Sequence, residues 1–128
     1  MRALDTNVLA RYLVGDDAAQ EGRAARIIEN EGEPLFVADV VFCELTWVLA
    51  SVYRFPRGRL VGVLRALLQT RQLVVADAAL LGRALDAFEL GKGDLADHVI
   101  REVARKAGCT EVVTFDKALT KEPGFTAA

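Results

Sequence analysis

Four short strand-like stretches, at residues 2–4, 35–38, 73–76 and 111–114, each lead to an aspartate. Asp5, Asp39 and Asp77 follow their runs directly, and Asp116 stands one residue further on. After the first three runs the helical pattern begins at once. Strands that alternate with helices imply parallel pairing, because a parallel neighbour is reached only through a long, usually helical crossover. Right-handed crossovers then cover both faces of the sheet.

The helices follow from periodicity and from stop signals. Val8, Leu9, Tyr12 and Leu13 share one side of a helix over 6–14, which Gly15 ends. Asp16 is placed to cap a second helix reaching about residue 31, with Ala18, Ala25 and Ile28 as its apolar positions. Asp39 opens a third, to about Tyr53, and the turn Phe55-Pro-Arg-Gly58 leads into a fourth carrying Leu60, Val61, Leu64 and Leu67. Asp77 caps a fifth that reaches Leu90. After Gly91-Lys-Gly93 a sixth runs over 94–107 and stops at Gly108. The expected architecture is one α/β domain over 1–128, a three-layer α/β/α sandwich on a parallel sheet, with the third and fourth helices as a projecting hairpin.

At 128 residues the chain has room for one core and not for two. A formal charge of −2 excludes the broad basic surface of a non-specific nucleic-acid binder, so nucleic acid would be held by a local patch or through metal. Cys43 and Cys109 lack CxxC spacing and nearby histidines, which fits buried free thiols in a reducing cytoplasm. The apolar run 40–52 is broken by Glu44, and neither a signal peptide nor a membrane span is expected.

In a parallel sheet the carboxyl ends of all strands share one edge, where ligands bind. Asp5 and Asp116 follow strands and belong there. A carboxylate at a strand-to-helix junction is either a helix cap or one wall of a site. Glu44 lies about one and a half turns into a helix that starts at that edge, among Val40, Val41, Phe42, Leu45, Trp47 and Val48. A carboxylate buried there without a partner would cost several kcal/mol, so it needs a reason: a metal, or an ion pair with Arg11 or Arg54. The sixth helix leads into the fourth strand, so it begins at the same edge and brings Asp94 and Asp97, three apart on one face. Convergent carboxylates repel by about 4 kcal/mol per pair at ~4 Å and an effective dielectric near ~20. A divalent cation resolves this, and an all-oxygen set favours Mg²⁺ or Mn²⁺. Asp77 reads as a plain cap, Asp39 as similar but nearer the crevice, and His98 as solvated with Arg101, Glu102 and Arg105. Lys117 can pair with phosphate or with a neighbouring acid.

Leu4-Asp-Thr-Asn-Val-Leu9, Cys43-Glu-Leu45, Gly93-Asp-Leu-Ala-Asp-His98 and Thr114-Phe-Asp116, in this order and spacing, resemble the PIN-domain ribonucleases, and among them the VapC toxins of bacterial toxin–antitoxin pairs. The resemblance spans nearly the whole chain. It implies that Asp5, Glu44, Asp97 and Asp116 are catalytic, metal-binding acids, with Asp94 auxiliary and Thr6, Asn7 and Thr114 orienting the carboxylates. It implies Mg²⁺-dependent cleavage of structured RNA, a tRNA or ribosomal RNA loop, which halts translation. It further implies a homodimer silenced by a cognate antitoxin. Two departures stand out: His98 takes a place where a small residue is common, and only residues 125–128 remain for the family's last strand, so the sheet has four strands or five.

Two other readings compete. A phospho-acceptor receiver module is also a parallel α/β domain of this size, but it wants an acidic pair after the first strand and leaves Glu44 unexplained. A non-cleaving PIN scaffold is the second. In the hairpin, Trp47, Val48, Leu49, Val52, Tyr53 and Phe55 lead into Arg54, Arg57 and Arg59; its outer apolar residues are expected to pack against another chain, and the arginines to reach phosphates or an acidic partner. The alternative is that Trp47 and Tyr53 fill the domain's own core.

Overall fold

The structure, a computed structural model, describes residues 1–30 and 32–128, so the expected end of the second helix at residue 31 lies outside the described residues. The chain forms two compact units, Met1–Ala76 and Asp77–Ala128.

The first unit runs β1 (Arg2–Ala3), α1 (Thr6–Val14), α2 (Ala18–Ile28), β2 (Leu35–Phe36), α3 (Asp39–Ser51), α4 (Arg57–Leu68) and β3 (Leu73–Val74). The strands pair in parallel in the order β1-β2-β3, with Arg2 opposite Leu35 and Leu35 opposite Leu73. Hydrogen bonding continues one residue past the strands, from Leu4 N–H to Phe36 O and from Val37 N–H to Val74 O, each at 2.9 Å. Both crossovers step in the same direction. Helix α1 packs against both α2 and α3, and α3 against α4. Leu9, Leu35, Val37, Leu45 and Leu49 are fully buried there, each worth about 1.5–3 kcal/mol of transfer free energy.

Helix α1 ends as its sequence demands, at Gly15 in the left-handed region (φ 69°), with the Gly15 N–H bonded to Arg11 O. The cap of α2 is Asp17, which accepts from Gln20 N–H at 3.1 Å, and not its neighbour Asp16. Asp16 is taken instead by Arg11 and Tyr53. The turn from α3 to α4 passes through Arg54 at φ 58°, which among the described residues is the one non-glycine with positive φ. It brings the Phe55 N–H to Leu49 O at 2.9 Å. Leu49 and Phe55 are thus buried in the unit's own core, with the Arg59 guanidinium 3.8 Å above the Phe55 ring, whereas Trp47 and Val52 stay exposed. Trp47 is thus not part of the domain's own core, and Leu49 and Phe55 are not among the hairpin's outer apolar residues.

The second unit runs α5 (Ala78–Leu90), α6 (Leu95–Lys106), β4 (Val112–Thr114), one 3-10 turn (Leu119–Lys121) and β5 (Phe125–Ala127). Asp77 caps α5 as expected, accepting from Leu80 N–H at 3.0 Å. Three of the final four residues do form a strand. β5 lies parallel to β4 with Val112 opposite Phe125, and the Ala128 N–H reaches Thr114 O.

That strand changes the environment of α6. His98, Arg101 and Glu102 were expected on a solvated face, yet their exposures are 0%, 4% and 3%. The segment returning to β5 covers them: the His98 ring meets Phe125 edge-on at 6.4 Å, and Arg101 donates to Pro123 O at 3.2 Å. The charges survive burial because Glu102 is ion-paired to Arg83, Arg101 and Arg105. Cys109, past the end of α6, is exposed rather than buried, and Cys43 is half-buried; both are free thiols. No described helix is long and apolar enough to cross a membrane.

Candidate active site

In the first unit, register and connectivity set the acids. Asp5 follows β1 and occupies the N-cap position of α1 with extended backbone (φ −83°, ψ 159°), yet its side chain makes no capping bond. Asp17 and Asp77, in the same kind of position, each accept a backbone N–H. The cap reading therefore holds for Asp77 and fails for Asp5, whose carboxylate is exposed. Thr6 is 4% exposed, and its hydroxyl has no hydrogen-bond partner; the same holds for Oδ1 of Asp39 at the start of α3. Asn7 is exposed and lines a groove with Val8, Arg11 and Gln20.

Glu44 is exposed, which removes the burial argument made from its neighbours. Val41, Phe42, Leu45 and Leu49 take the inner face of α3, while Val40, Glu44 and Trp47 lie on the outer one. The ion pair with Arg11 does not form either, because Arg11 Nη1 binds Asp16 Oδ1 at 2.7 Å.

In the second unit, Asp94 is the N-cap residue of α6, and its N–H donates to Asp97 Oδ2 at 2.9 Å. One carboxylate oxygen of Asp97 is thus fixed and Oδ1 is left for another ligand. Gly93 makes this possible: at φ +87°, a Cβ there would stand 2.9 Å from Asp97 Oδ2 and 2.6 Å from a Leu119 methyl. The Thr114 hydroxyl accepts from the Asp116 N–H at 3.0 Å, so it orients the backbone of that acid rather than its carboxylate. Asp116 Oδ1 accepts from the N–H groups of Ala118 (2.9 Å) and Leu119 (3.3 Å), again leaving one oxygen for another ligand. Lys117, Arg54, Arg57 and Arg59 are exposed.

Among the described residues no three His, Cys, Asp or Glu side chains are gathered closely enough to hold a metal. What fits a metal is the donor chemistry within each unit: the exposed Asp5 carboxylate in the first, and in the second the oxygens of Asp97 and Asp116 left over by local bonding, all of which suit a hard divalent cation. Sequence reasoning missed the bonds around Glu102 and the Asp16–Arg11–Tyr53 cluster. The signal was present in Arg101, Glu102 and Arg105 within one turn of α6, but Arg83 and the Pro123 carbonyl, which complete the network, come from elsewhere in the chain.

The PIN-domain family profile matches residues 2–123, and the chain belongs to that family. This sets aside the receiver-module alternative. The chain is 28% identical over 123 residues to a VapC ribonuclease of Aquifex aeolicus (strain VF5), covering 94% of this chain and 91% of that one. Among solved structures it is similar to the Mycobacterium tuberculosis VapC20 sarcin-ricin loop cleaving toxin, at 18% identity and a TM-score of 0.46, over 94% of this chain and 93% of the other.

Proposed function

We propose that this chain is a VapC-type toxin, a metal-dependent endoribonuclease that cleaves structured RNA, a tRNA or ribosomal RNA loop, and is silenced by a cognate antitoxin. Membership of the PIN family supports it, as does the name of its Aquifex relative. The observation that carries it is Asp5: a carboxylate at a strand end, exposed and free of the capping bond that Asp17 and Asp77 make. In this reading Asp5, Glu44, Asp97 and Asp116, with Asp94 as auxiliary, hold Mg²⁺, for which Mn²⁺ substitutes. The bound cation would lower the pKa of a water and neutralise charge on the phosphodiester as it is attacked.

The chain's own groups do the orienting. The Asp94 amide and the amides of Ala118 and Leu119 each fix one oxygen of Asp97 and Asp116. Thr6 holds a buried hydroxyl next to Asp5 in sequence, with no other partner. Arg54, Arg57 and Lys117 offer exposed cations to RNA phosphates or to the antitoxin, while Arg59 stacks on Phe55. Exposed Trp47 and Val52 suit contact with a second copy in a cytoplasmic homodimer or with the antitoxin.

The test is RNA cleavage by purified protein in Mg²⁺ and in EDTA, beside Asp5→Asn, Glu44→Gln and Asp97→Asn. Each variant should lose at least about a hundredfold in rate, the loss of a few kcal/mol of transition-state stabilisation, and Asp94→Asn less. Millimolar Mg²⁺ or Mn²⁺ should raise the wild-type Tm, and EDTA should reverse the rise. Near-wild-type cleavage by folded Asp5→Asn protein would end the metal-nuclease reading, and a wild type that cuts no RNA would favour the non-cleaving PIN scaffold.

A further inference from the structure

Arg101 sits one turn beyond Asp97 on α6, at 4% exposure, beside Glu102 at 3%. Its Nε donates to Glu102 Oε2 at 3.1 Å and its Nη1 to Pro123 O at 3.2 Å, and the guanidinium lies 5.5 Å from the Phe125 ring centroid. Glu102 is held in turn by Arg83 (3.0 Å) and Arg105 (2.9 Å). Between Pro123 and Phe125, Gly124 takes φ +85°, and a Cβ there would stand 2.7 Å from Arg101 Cδ. The same returning segment is fastened at the start of α6. Glu122 accepts from the Lys92 N–H, the Leu119 side chain lies against Gly93, and His98 Nε2 bonds Lys92 O at 2.7 Å.

A well-packed hydrophobic pair often stabilises as much as a buried ion pair, so a buried pair retained in a core points to orientation rather than stability. Only a guanidinium can hold a carboxylate and a carbonyl at once in a fixed plane while stacking on a ring. The segment that Arg101 grips follows Asp116, and the helix it grips from carries Asp97 in its first turn. We infer that Arg101, braced by Glu102, is a positioning residue that sets Asp116 against Asp97. This rests on the proposed function, in which both acids hold the cation.

The test is Mn²⁺ binding by the full chain, read by electron paramagnetic resonance of the free ion, together with steady-state RNA cleavage. Arg101→Met, folded by circular dichroism, should weaken Mn²⁺ binding by at least about tenfold and lower kcat with KM little changed. Arg101→Lys should recover part of the affinity, since it keeps the charge and loses the fork. Arg83→Ala, which removes one bond to Glu102 and leaves both bonds of Arg101 in place, should bind Mn²⁺ like wild type. Where Arg101→Met fails to fold, Gly124→Ala gives the reading, because its methyl displaces Arg101, and it should show the same loss. Wild-type Mn²⁺ affinity in folded Arg101→Met or Gly124→Ala overturns the inference and leaves the proposed function standing. A wild type that binds no Mn²⁺ and cuts no RNA overturns both.

Discussion

The Tyr53 hydroxyl donates to Asp16 Oδ2 at 2.9 Å, tying the chain just beyond α3 to the loop between α1 and α2. Arg11 Nη1 closes the triangle, 2.7 Å from Asp16 Oδ1 and 3.2 Å from the Tyr53 oxygen. The bonds from Arg11 and Tyr53 hold the Asp16 carboxyl below the usual carboxylate range, and the bond to Asp16 raises the Tyr53 phenol. A lowered folded-state pKa contributes stability that is present above the ordinary carboxylate value and lost as pH falls through the lowered one. Tyr53→Phe should therefore lower Tm at neutral pH by a small amount, and the two melting curves should converge in acid. A gap independent of pH would mean that Tyr53 acts through packing alone.

The contrast between Asp5 and Asp77 gives a second expectation. Asp77 caps α5 and also binds Lys106 at 2.9 Å, and the Leu80 N–H and Lys106 hold its carboxyl below the usual range. Asp77→Ala should lower the metal-free Tm. Asp5→Ala should leave it unchanged or raise it, because no capping bond is lost. Equal losses for the two would show that Asp5 is structural.

Thiol chemistry separates the two cysteines. Burial, with the nearby Asp39 charge, pushes the Cys43 thiol up to about 11, while Cys109 is exposed. The thiolate is the reactive form. A native-state assay with a disulfide reagent at neutral pH should titrate one thiol quickly and the second only on unfolding, and Cys109→Ser should abolish the fast phase.

Much of this was legible in the sequence, for reasons that differ by element. Helices α1 and α5 are bounded by strictly local chemistry, Gly15 at one end and Asp77 at the other, so their limits could be read directly. At Asp16-Asp17 the local signal is ambiguous. Either acid can cap, and the choice is made by Arg11 and Tyr53, the latter 37 residues away from Asp16. The solvated reading of His98, Arg101 and Glu102 failed because the covering segment shows no strand pattern of its own. Arg101 bonds a backbone carbonyl, which no side-chain motif announces. The candidate acids came from the resemblance and from strand ends, and Asp5 kept its place for a better reason than Glu44, whose expected burial is not there.

The Glu102 cluster sets a fourth expectation. Burial pushes its carboxyl up, but the bonds from Arg83 and Arg101 and the charge of Arg105 outweigh this and hold it below the usual value. Its contribution is thus present above the ordinary glutamate value, near pH ~4.3, and is lost as pH falls further. Glu102→Gln should cost about 2–3 kcal/mol at pH 7, less than an isolated buried pair because Arg83 and Arg105 reach solvent. The difference should shrink below about pH 4 in chemical denaturation. A constant difference would place the cost in packing.

Trp47 is the chain's single tryptophan and stands 66% exposed, three residues from Glu44 on the same side of α3. Its emission belongs to a water-facing indole and is open to quenching by iodide or acrylamide. A molecule that settles over that side of α3 would shift the colour of the light and shield the ring. The protein thus carries its own optical reporter beside one of its candidate acids, without a dye or a label.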